Sequence, residues 1–322
     1  MTEARVRHEE WDREVKLIDR LARARAYRRL RRQHPTPGSS LASKILYKMA
    51  WDRNPLLPVF ADKVAVRKFI ADRAGVEHVV PVLAISDRGV KVDYASLPRE
   101  FVIKVSHGSG GVIVVSERAD PTTTLPDDPR VGWVRFEIHP DQLDNVRLDA
   151  LLAHWLSLSF EWWPGRNPEW AYRRVTPRVV IEPLMRNSRG GDLAEYKAFC
   201  FHGQVQVIRV DRGTVSGGKR FSHYDREWNY LNATFVEAGH VHENSTPEPR
   251  PTFLTEIIRI AELLSQGVDF ARVDLIDDAG NLRVGEITNY PTAGNFTFVP
   301  PDFSEWFGKD WIPSYRRGGT SK

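Results

Sequence analysis

The clearest candidates for chemistry in this chain of 322 residues are a lysine and a run of glycines near its middle. Lys104 stands in an otherwise apolar run, Phe101–Val105, which indicates a β-strand in which the lysine needs an anion nearby. Residues 106–111 contain three glycines, whose N–H groups can converge on phosphate oxygens because no Cβ intervenes. Residues 112–115 are β-branched, which favours a strand over the helix that follows a P-loop. We predict a β-hairpin whose tip covers phosphate groups; an ordinary glycine-containing hairpin is the alternative.

A second group of candidates lies on two apolar runs near the end of the chain. Asp274 belongs to residues 271–276 and Glu286 to residues 282–287, and the two runs have the spacing of a hairpin. Two carboxylates facing the same side of a hairpin are a natural magnesium site. Arg272 shares the face of Asp274 and could neutralise a transferring phosphate or a developing oxyanion. A surface salt-bridge ladder is the alternative interpretation.

Other polar residues lie between these two groups. Glu182 ends an apolar strand over residues 179–182, and Glu195 and Lys197 share one face of the next strand. Four cations flank the loop 213–218, where they could meet an anionic acceptor or simply face solvent: Arg209, Arg212, Lys219 and Arg220.

The elements that must position these residues form an α+β pattern with antiparallel pairs. Helices are predicted over 41–51, 63–74 and 253–266, and a buried strand over 79–85. A further hairpin pairs 196–201 with 205–210. The protein-kinase fold is rejected, because the nearest matches to its catalytic motifs fail in spacing and order: His139-Pro140-Asp141 with Asn145, and Asp269-Phe270-Ala271.

The composition is that of a globular protein. Hydrophobic residues make up 41% and charged residues 27%, which excludes global disorder. Cys200 is the single cysteine, so an intramolecular disulfide is excluded, and its apolar strand predicts a buried structural role. We find neither an apolar run of membrane-spanning length nor a signal peptide, and we therefore expect a cytoplasmic protein.

The net charge of +4 is unevenly distributed. The first 34 residues contain 11 basic and 6 acidic residues. Their apolar residues have helical spacing, which predicts an amphipathic helix: Trp11, Val15, Ile18 and Ala22. The helix either packs on the main body or makes a peripheral contact with an anionic membrane or polymer.

The order of these motifs resembles that of the ATP-grasp superfamily, and most closely its TupA-like family, which is associated with teichuronopeptide and other surface-polymer biosynthesis. The matching stretches are Asp62–Arg67, Lys104–Gly110, Glu195–Phe201 and Gly285–Thr288. The resemblance spans about residues 41–315. It implies an α+β ATP-grasp fold in which two subdomains grip ATP between antiparallel sheets. The implied regions are an N-terminal helical extension (1–40), an α/β region (41–98), a small subdomain (99–185) and a large subdomain (186–322).

The resemblance also implies a role for each site residue. Those that would contact ATP are Lys63, Lys104, His107, Gly108, Ser109, Gly110, Gly111, Glu182, Leu184, Glu195 and Lys197. Within this set Glu182 and Leu184 would lie at the adenine hinge, and Glu195 would bind the ribose. Lys197 would reach phosphate or acceptor, and Arg272 would stabilise an acylphosphate step. Both are therefore assigned as catalytic.

Magnesium would be held by Asp274 and Glu286. Many members of the superfamily have Asn two residues after the second metal acid, but here that position is Thr288. Asn289 comes next and would face the opposite side if the strand continued. Thr288 and Asn289 therefore both stay candidates for the third ligand.

The implied activity is ATP-dependent ligation of a small-molecule carboxylate to an amine, with ATP and Mg²⁺ as cofactors and no covalent enzyme nucleophile. Two alternatives stay open, a phosphotransferase acting on a hydroxyl and a non-catalytic nucleotide-binding component of a polymer-assembly complex. No nucleic-acid partner is expected, and the oligomeric state stays open.

Overall fold

A computed structural model describes residues 34–87, 92–159, 169–187, 193–213, 218–237, 240–244, 246–278 and 280–315. The predicted amphipathic helix of the first 34 residues lies outside these ranges except for His34. The α-helices of the described residues are α1 Leu41–Trp51, α2 Leu56–Ala61, α3 Ala65–Ala74, α4 Asn145–Ser157, α5 Leu254–Ser265 and α6 Asp302–Gly308.

The strands of the described residues form three sheets. They are β1 Ala84–Asp87, β2 Phe101–Val105, β3 Val112–Val115, β4 Arg135–Ile138, β5 Arg178–Pro183, β6 Glu195–Phe201, β7 Gln204–Arg212, β8 Arg220–Asp225, β9 Tyr230–Leu231, β10 Thr234–Glu237, β11 His240–Val241, β12 Glu243–Asn244, β13 Phe270–Asp278, β14 Asn281–Thr288 and β15 Phe296–Val299.

The small sheet has the order β1-β5-β2-β3-β4 and supports one hydrophobic core. Strand β2 alternates, with Phe101, Ile103 and Val105 buried and the residues between them partly exposed. The buried face joins the apolar residues of α4, among them Leu148 and Leu151, in that core. The opposite face therefore carries Lys104.

The large sheet has the order β12-β8-β7-β6-β13-β14, with β9 paired to β8, and supports the main core. Helix α5 buries Ile257, Ile260, Ala261 and Leu264 at helical spacing against β6, β7 and β13. Cys200 on β6 is fully buried, as predicted, and burial raises the pKa of its thiol to about 12. The third sheet, β11-β10-β15, lies beside this core.

The α+β architecture and most of the predicted elements are confirmed. The predicted helix over 41–51 and strand over 101–105 have the observed bounds, and the hairpin turned at His202-Gly203 forms as predicted. The buried strand predicted over 79–85 is wrong. The strand there is β1, an edge strand that begins at Ala84, and Val82, Leu83 and Ile85 are exposed.

The limits proposed for the regions of the chain stay predictions. In the part of the chain that the structure describes, no helix combines the length and the apolar character needed to span a membrane.

Candidate active site

The glycine run forms the predicted hairpin tip. Strands β2 and β3 pair antiparallel from Phe101↔Val115 to Lys104↔Val112, which places residues 106–111 at the turn. Gly110 has a φ of 96°, which favours glycine. A Cβ on Gly108 would lie 1.5 Å from the ring of Trp133, so only glycine fits there. The tip is thus packed closely on the small domain.

His107 faces that packing. Its Nε2 lies 3.1 Å from the Leu158 carbonyl oxygen, and its ring meets Trp133 edge-on at 5.0 Å between centroids. Burial lowers the pKa of this imidazole. The side chain therefore anchors the hairpin, and its position leaves the backbone of the tip for contact with phosphate.

Lys104 lies against a buried anion, as its place in an apolar strand predicts. Its Nζ donates to Glu182 Oε2 at 2.6 Å, and Arg67 Nη1 lies 3.3 Å from Glu182 Oε1. Burial acts to lower the pKa of Lys104, but the carboxylates of Glu182 and Glu286 outweigh it and raise the pKa. Lys63 donates to the Gly108 carbonyl oxygen, and burial lowers its pKa.

The acidic hairpin is β13–β14, and Asp274 lies directly opposite Glu286 in its register. Arg272 binds Asp274 through Nε at 2.6 Å and Nη2 at 2.7 Å. Lys197 Nζ lies 3.0 Å from Asp274 and 2.6 Å from Glu195. Burial acts to raise the pKa of Asp274, but Arg272 and Lys197 outweigh it and lower the pKa. The charges are buried, so a solvated surface ladder does not describe them.

Strand β14 ends at Thr288, and this decides the position of the two candidate third ligands. Thr288 Oγ1 accepts from Arg272 Nη2 at 3.0 Å. Asn289, just past the strand, lines the same cavity as Thr288 rather than facing away from it. Its Nδ2 donates to the Leu57 carbonyl at 2.8 Å, and its buried Oδ1 has no hydrogen-bond partner among the described residues.

Two cavities meet at this hairpin. The first cavity, of about 330 Å³, lies between the small and large sheets. Its apolar end includes Val80, Val102, Val114, Leu184 and Met185, and its polar end includes Lys104, Glu182, Glu195, Lys197, Asp274 and Glu286. The second cavity, of about 310 Å³, lies on the face of the large sheet. Three residues line both cavities, namely Glu195, Lys197 and Glu286.

The second cavity contains residues that motif reasoning did not assign to the site. They include Glu169, Tyr172, Asp211, Phe221, Glu237 and Tyr290. Each comes from a different part of the chain, and none belongs to a motif. The available signal was the alternation of β7, which places Asp211 on the face of Arg209.

A glycine hairpin on one sheet, facing an acidic hairpin on a second sheet across a cavity, is the arrangement of an ATP-grasp protein. The model of the TupA-like ATP-grasp family matches residues 41–122 and 143–312, and the chain belongs to that family. The resemblance inferred from the motifs is confirmed. No curated protein matches the chain.

Solved structures of ATP-grasp ligases are similar at low identity. D-alanine–D-alanine ligase from Bacillus anthracis is 15% identical with a TM-score of 0.38, over 72% of this chain and 57% of that one. The ATP-grasp ligase PsnB complexed with a minimal precursor is 12% identical with a TM-score of 0.36, over 75% and 56%. D-alanine–D-alanine ligase from Helicobacter pylori is 13% identical with a TM-score of 0.39, over 87% and 71%. The chain thus spans just over half the length of the first two.

Proposed function

We propose that this protein is an ATP-dependent carboxylate–amine ligase that forms an amide through an acylphosphate. One observation carries the proposal: two cavities of similar size meet at Glu195, Lys197 and Glu286. A ligase of this kind must bring the γ-phosphate of ATP to a carboxylate in a separate site. In the first step the carboxylate attacks the γ-phosphate and releases ADP. In the second step an amine attacks the acyl carbon and releases phosphate.

The first cavity suits ATP. Its apolar end, which includes Val102 and Leu184, matches a purine base, and hydrogen-bonding groups of the β5 hinge can reach the edge of that base. Glu195 lies near the polar end as the proposed ribose acceptor. Lys104, Lys63 and the glycine tip supply the cations and N–H groups for phosphate.

Magnesium fits the donor set at the acidic hairpin. Glu286 has no ion-pair partner among the described residues, and the orphaned Oδ1 of Asn289 is a second oxygen of the kind Mg²⁺ takes. Asp274 is held by Arg272 and Lys197, so it coordinates only if it exchanges one of them. Within the described residues no three His, Cys, Asp or Glu side chains group as a metal site, as expected where phosphate oxygens complete the shell. When bound, magnesium neutralises the phosphate oxygens.

Arg272 and Lys197 act by charge rather than by proton transfer. Burial acts to lower both pKa values, but Asp274 and the neighbouring acids outweigh it and raise them. Both side chains therefore stay protonated and stabilise negative charge that develops between the two cavities. The reaction depends on positioning and on charge neutralisation.

The experiment screens amino acids and amines for ADP release and identifies the products by mass spectrometry. A ligase yields ADP, free phosphate and an amide. A phosphotransferase yields ADP and a phosphorylated product without free phosphate, and a non-catalytic component yields no turnover. Either of the last two outcomes would replace the proposal.

We expect Lys104→Ala and Glu286→Ala each to abolish ATP turnover, because they remove a phosphate cation and a metal oxygen. Circular dichroism checks that both variants stay folded. Lys68→Ala is the control, since Lys68 is 81% exposed and pairs only with Asp72. Unchanged turnover in both site variants would refute the site assignment.

A further inference from the structure

Arg209 is a rigidly held cation in the second cavity that the proposed reaction does not use. It lies on β7, opposite Lys197 on β6 and His223 on β8. The rings of Phe221 and Phe235 lie 4.4 and 4.7 Å from its guanidinium carbon. Stacking by the two rings fixes the guanidinium plane and leaves its edges for polar contacts.

One edge of this guanidinium is already occupied. Asp211 accepts from Arg209 Nε at 2.7 Å and from Nη2 at 2.9 Å. A guanidinium has a second edge, formed by Nη1 and the other N–H of Nη2, that can bind another carboxylate with two parallel hydrogen bonds. Among the described residues Nη1 has no hydrogen-bond partner, and Arg209 lines the second cavity.

The other charges of the second cavity leave this edge available. Glu195 is bound to Lys197, and Glu237 lies 3.6 Å from His242 Nε2. Glu169 already interacts with a neighbour. Lys219 also lines the cavity and has no ion pair within the described ranges. A cationic edge and a nearby ammonium group therefore face the same space.

We propose that Arg209 binds a carboxylate of the substrate that does not react. The inference rests on the proposed function, since it takes the second cavity as the substrate site. Arg209 lines that cavity and not the first one, so its position suits the substrate rather than ATP. The substrate class is then a molecule with a second carboxylate, held by Arg209 while the reacting group lies near Arg272 and Glu286.

The test compares two probes that differ in one charge. Glutarate has two carboxylates, and glutaramate replaces one of them with an amide of the same shape. Calorimetry measures the binding of each to the full chain in the presence of ADP and Mg²⁺. We expect glutarate to bind about tenfold more tightly or better, the preference that a charge-assisted hydrogen bond provides.

The variant is Arg209→Gln/Asp211→Asn, which removes both charges and so avoids leaving a buried carboxylate unpaired. It is expected to bind the two probes equally. Arg220→Gln is the control, because Arg220 is exposed and does not line the cavity. Equal binding by the wild-type protein, preference that survives in the double variant, or no binding of either probe would overturn the proposal. Loss of ADP binding or absence of amide product would count against the ligase proposal alone, because probe discrimination is read separately.

Discussion

Lys197 shows how the site keeps its charges in a buried position. Its ammonium lies 2.6 Å from Glu195, 3.0 Å from Asp274 and 3.6 Å from Asp211. A buried cation is costly in isolation, but it is stabilised when several acids surround it. The same acids prevent Lys197 from acting as a base. A residue that lines both cavities thus provides fixed positive charge where phosphate and carboxylate must approach each other.

Gly108 tests the packing of the hairpin tip. A methyl group at this position would overlap the ring of Trp133, so Gly108→Ala must displace either the ring or the tip. We expect a loss of about 1–3 kcal/mol in the free energy of unfolding, as for overpacking elsewhere, and weaker ATP binding. Urea unfolding and calorimetry measure the two effects. Gly38→Ala is the control, because a Cβ there meets nothing within 4 Å. Equal behaviour of the two variants would contradict the packing argument.

His223 makes stability depend on pH. The imidazole is fully buried, and burial together with the charge of Arg209 lowers its pKa from 6.5 to about 3. Between these values the unfolded chain binds a proton that the folded chain does not, so stability falls as pH falls. The loss is up to about 1.4 kcal/mol per pH unit.

His223→Gln should remove this part of the pH dependence, because glutamine does not titrate. Urea unfolding from pH 7 down to pH 4 gives the slope for each protein. His202→Asn is the control: His202 is exposed, with a φ of 51° that Asn tolerates. An unchanged slope in His223→Gln would show that another group is responsible.

Which site residues could be predicted depended on how local their setting is. Lys104, Asp274 and Glu286 each stand in an apolar strand beside a turn, and such a pattern is visible in a few residues. Their geometric grouping confirms that they form one site, although their individual roles stay predictions. The setting of Arg209 depends on Phe221 and Phe235 from two other strands. No local pattern encodes a contact of that kind.

At the scale of elements, long periodic segments were predictable and short irregular ones were not. Helix α5 and the hairpin β13–β14 have clear apolar patterns. Strands β9, β11 and β12 have only two residues each, too few for any period. The error over 79–85 has a physical cause, since Pro81 cannot donate to a strand ladder and the chain pairs only after it.

Helix α1 is tied to the strand that carries the acidic site. Lys48 on α1 is fully buried, with its Nζ 2.5 Å from Asp52 and 2.6 Å from Asp269, the residue just before β13. Burial acts to lower the pKa of Lys48, but Asp269 and Asp52 outweigh it and raise the pKa. Trp311 Nε1 also donates to Asp269 at 2.8 Å. The start of β13 is therefore fixed by two other elements.

Lys48→Met should destabilise the protein by about 3–5 kcal/mol, because it leaves two buried carboxylates without their cation. Denaturant unfolding measures the change. Lys68→Met is the matched control: Lys68 also pairs with an aspartate four residues later, but it is exposed, and we expect no measurable change. A Lys48 variant as stable as this control would show that the buried cluster contributes nothing to stability.

At the scale of the whole molecule, the two cores meet at the first cavity. The small sheet contributes β2, β3 and β5 to its walls, and the large sheet contributes β6, β13 and β14. Neither sheet holds all the groups that ATP requires, since Lys104 lies on one and Asp274 and Glu286 lie on the other. A nucleotide in this cavity would therefore contact both halves of the fold.

The net charge of the molecule also divides between two parts. The first 34 residues carry a charge of +5, whereas the remaining chain has 35 basic and 36 acidic residues. The cations of the site thus matter by position and not by excess. An anionic surface or polymer, if it binds this protein by charge, must bind through the N-terminal segment.

A chain that begins at Pro35 should keep full ATP turnover, because the described residues that line the two cavities all lie between Ala61 and Ala293. Turnover per folded molecule is the first measurement, and its loss would refute this separation of site and segment. Urea unfolding and sedimentation with anionic vesicles then separate the two roles predicted for residues 1–34. Lower stability of the shortened chain indicates that the segment packs on the main body. Unchanged stability with loss of vesicle binding, in a form suppressed by salt, indicates a docking segment.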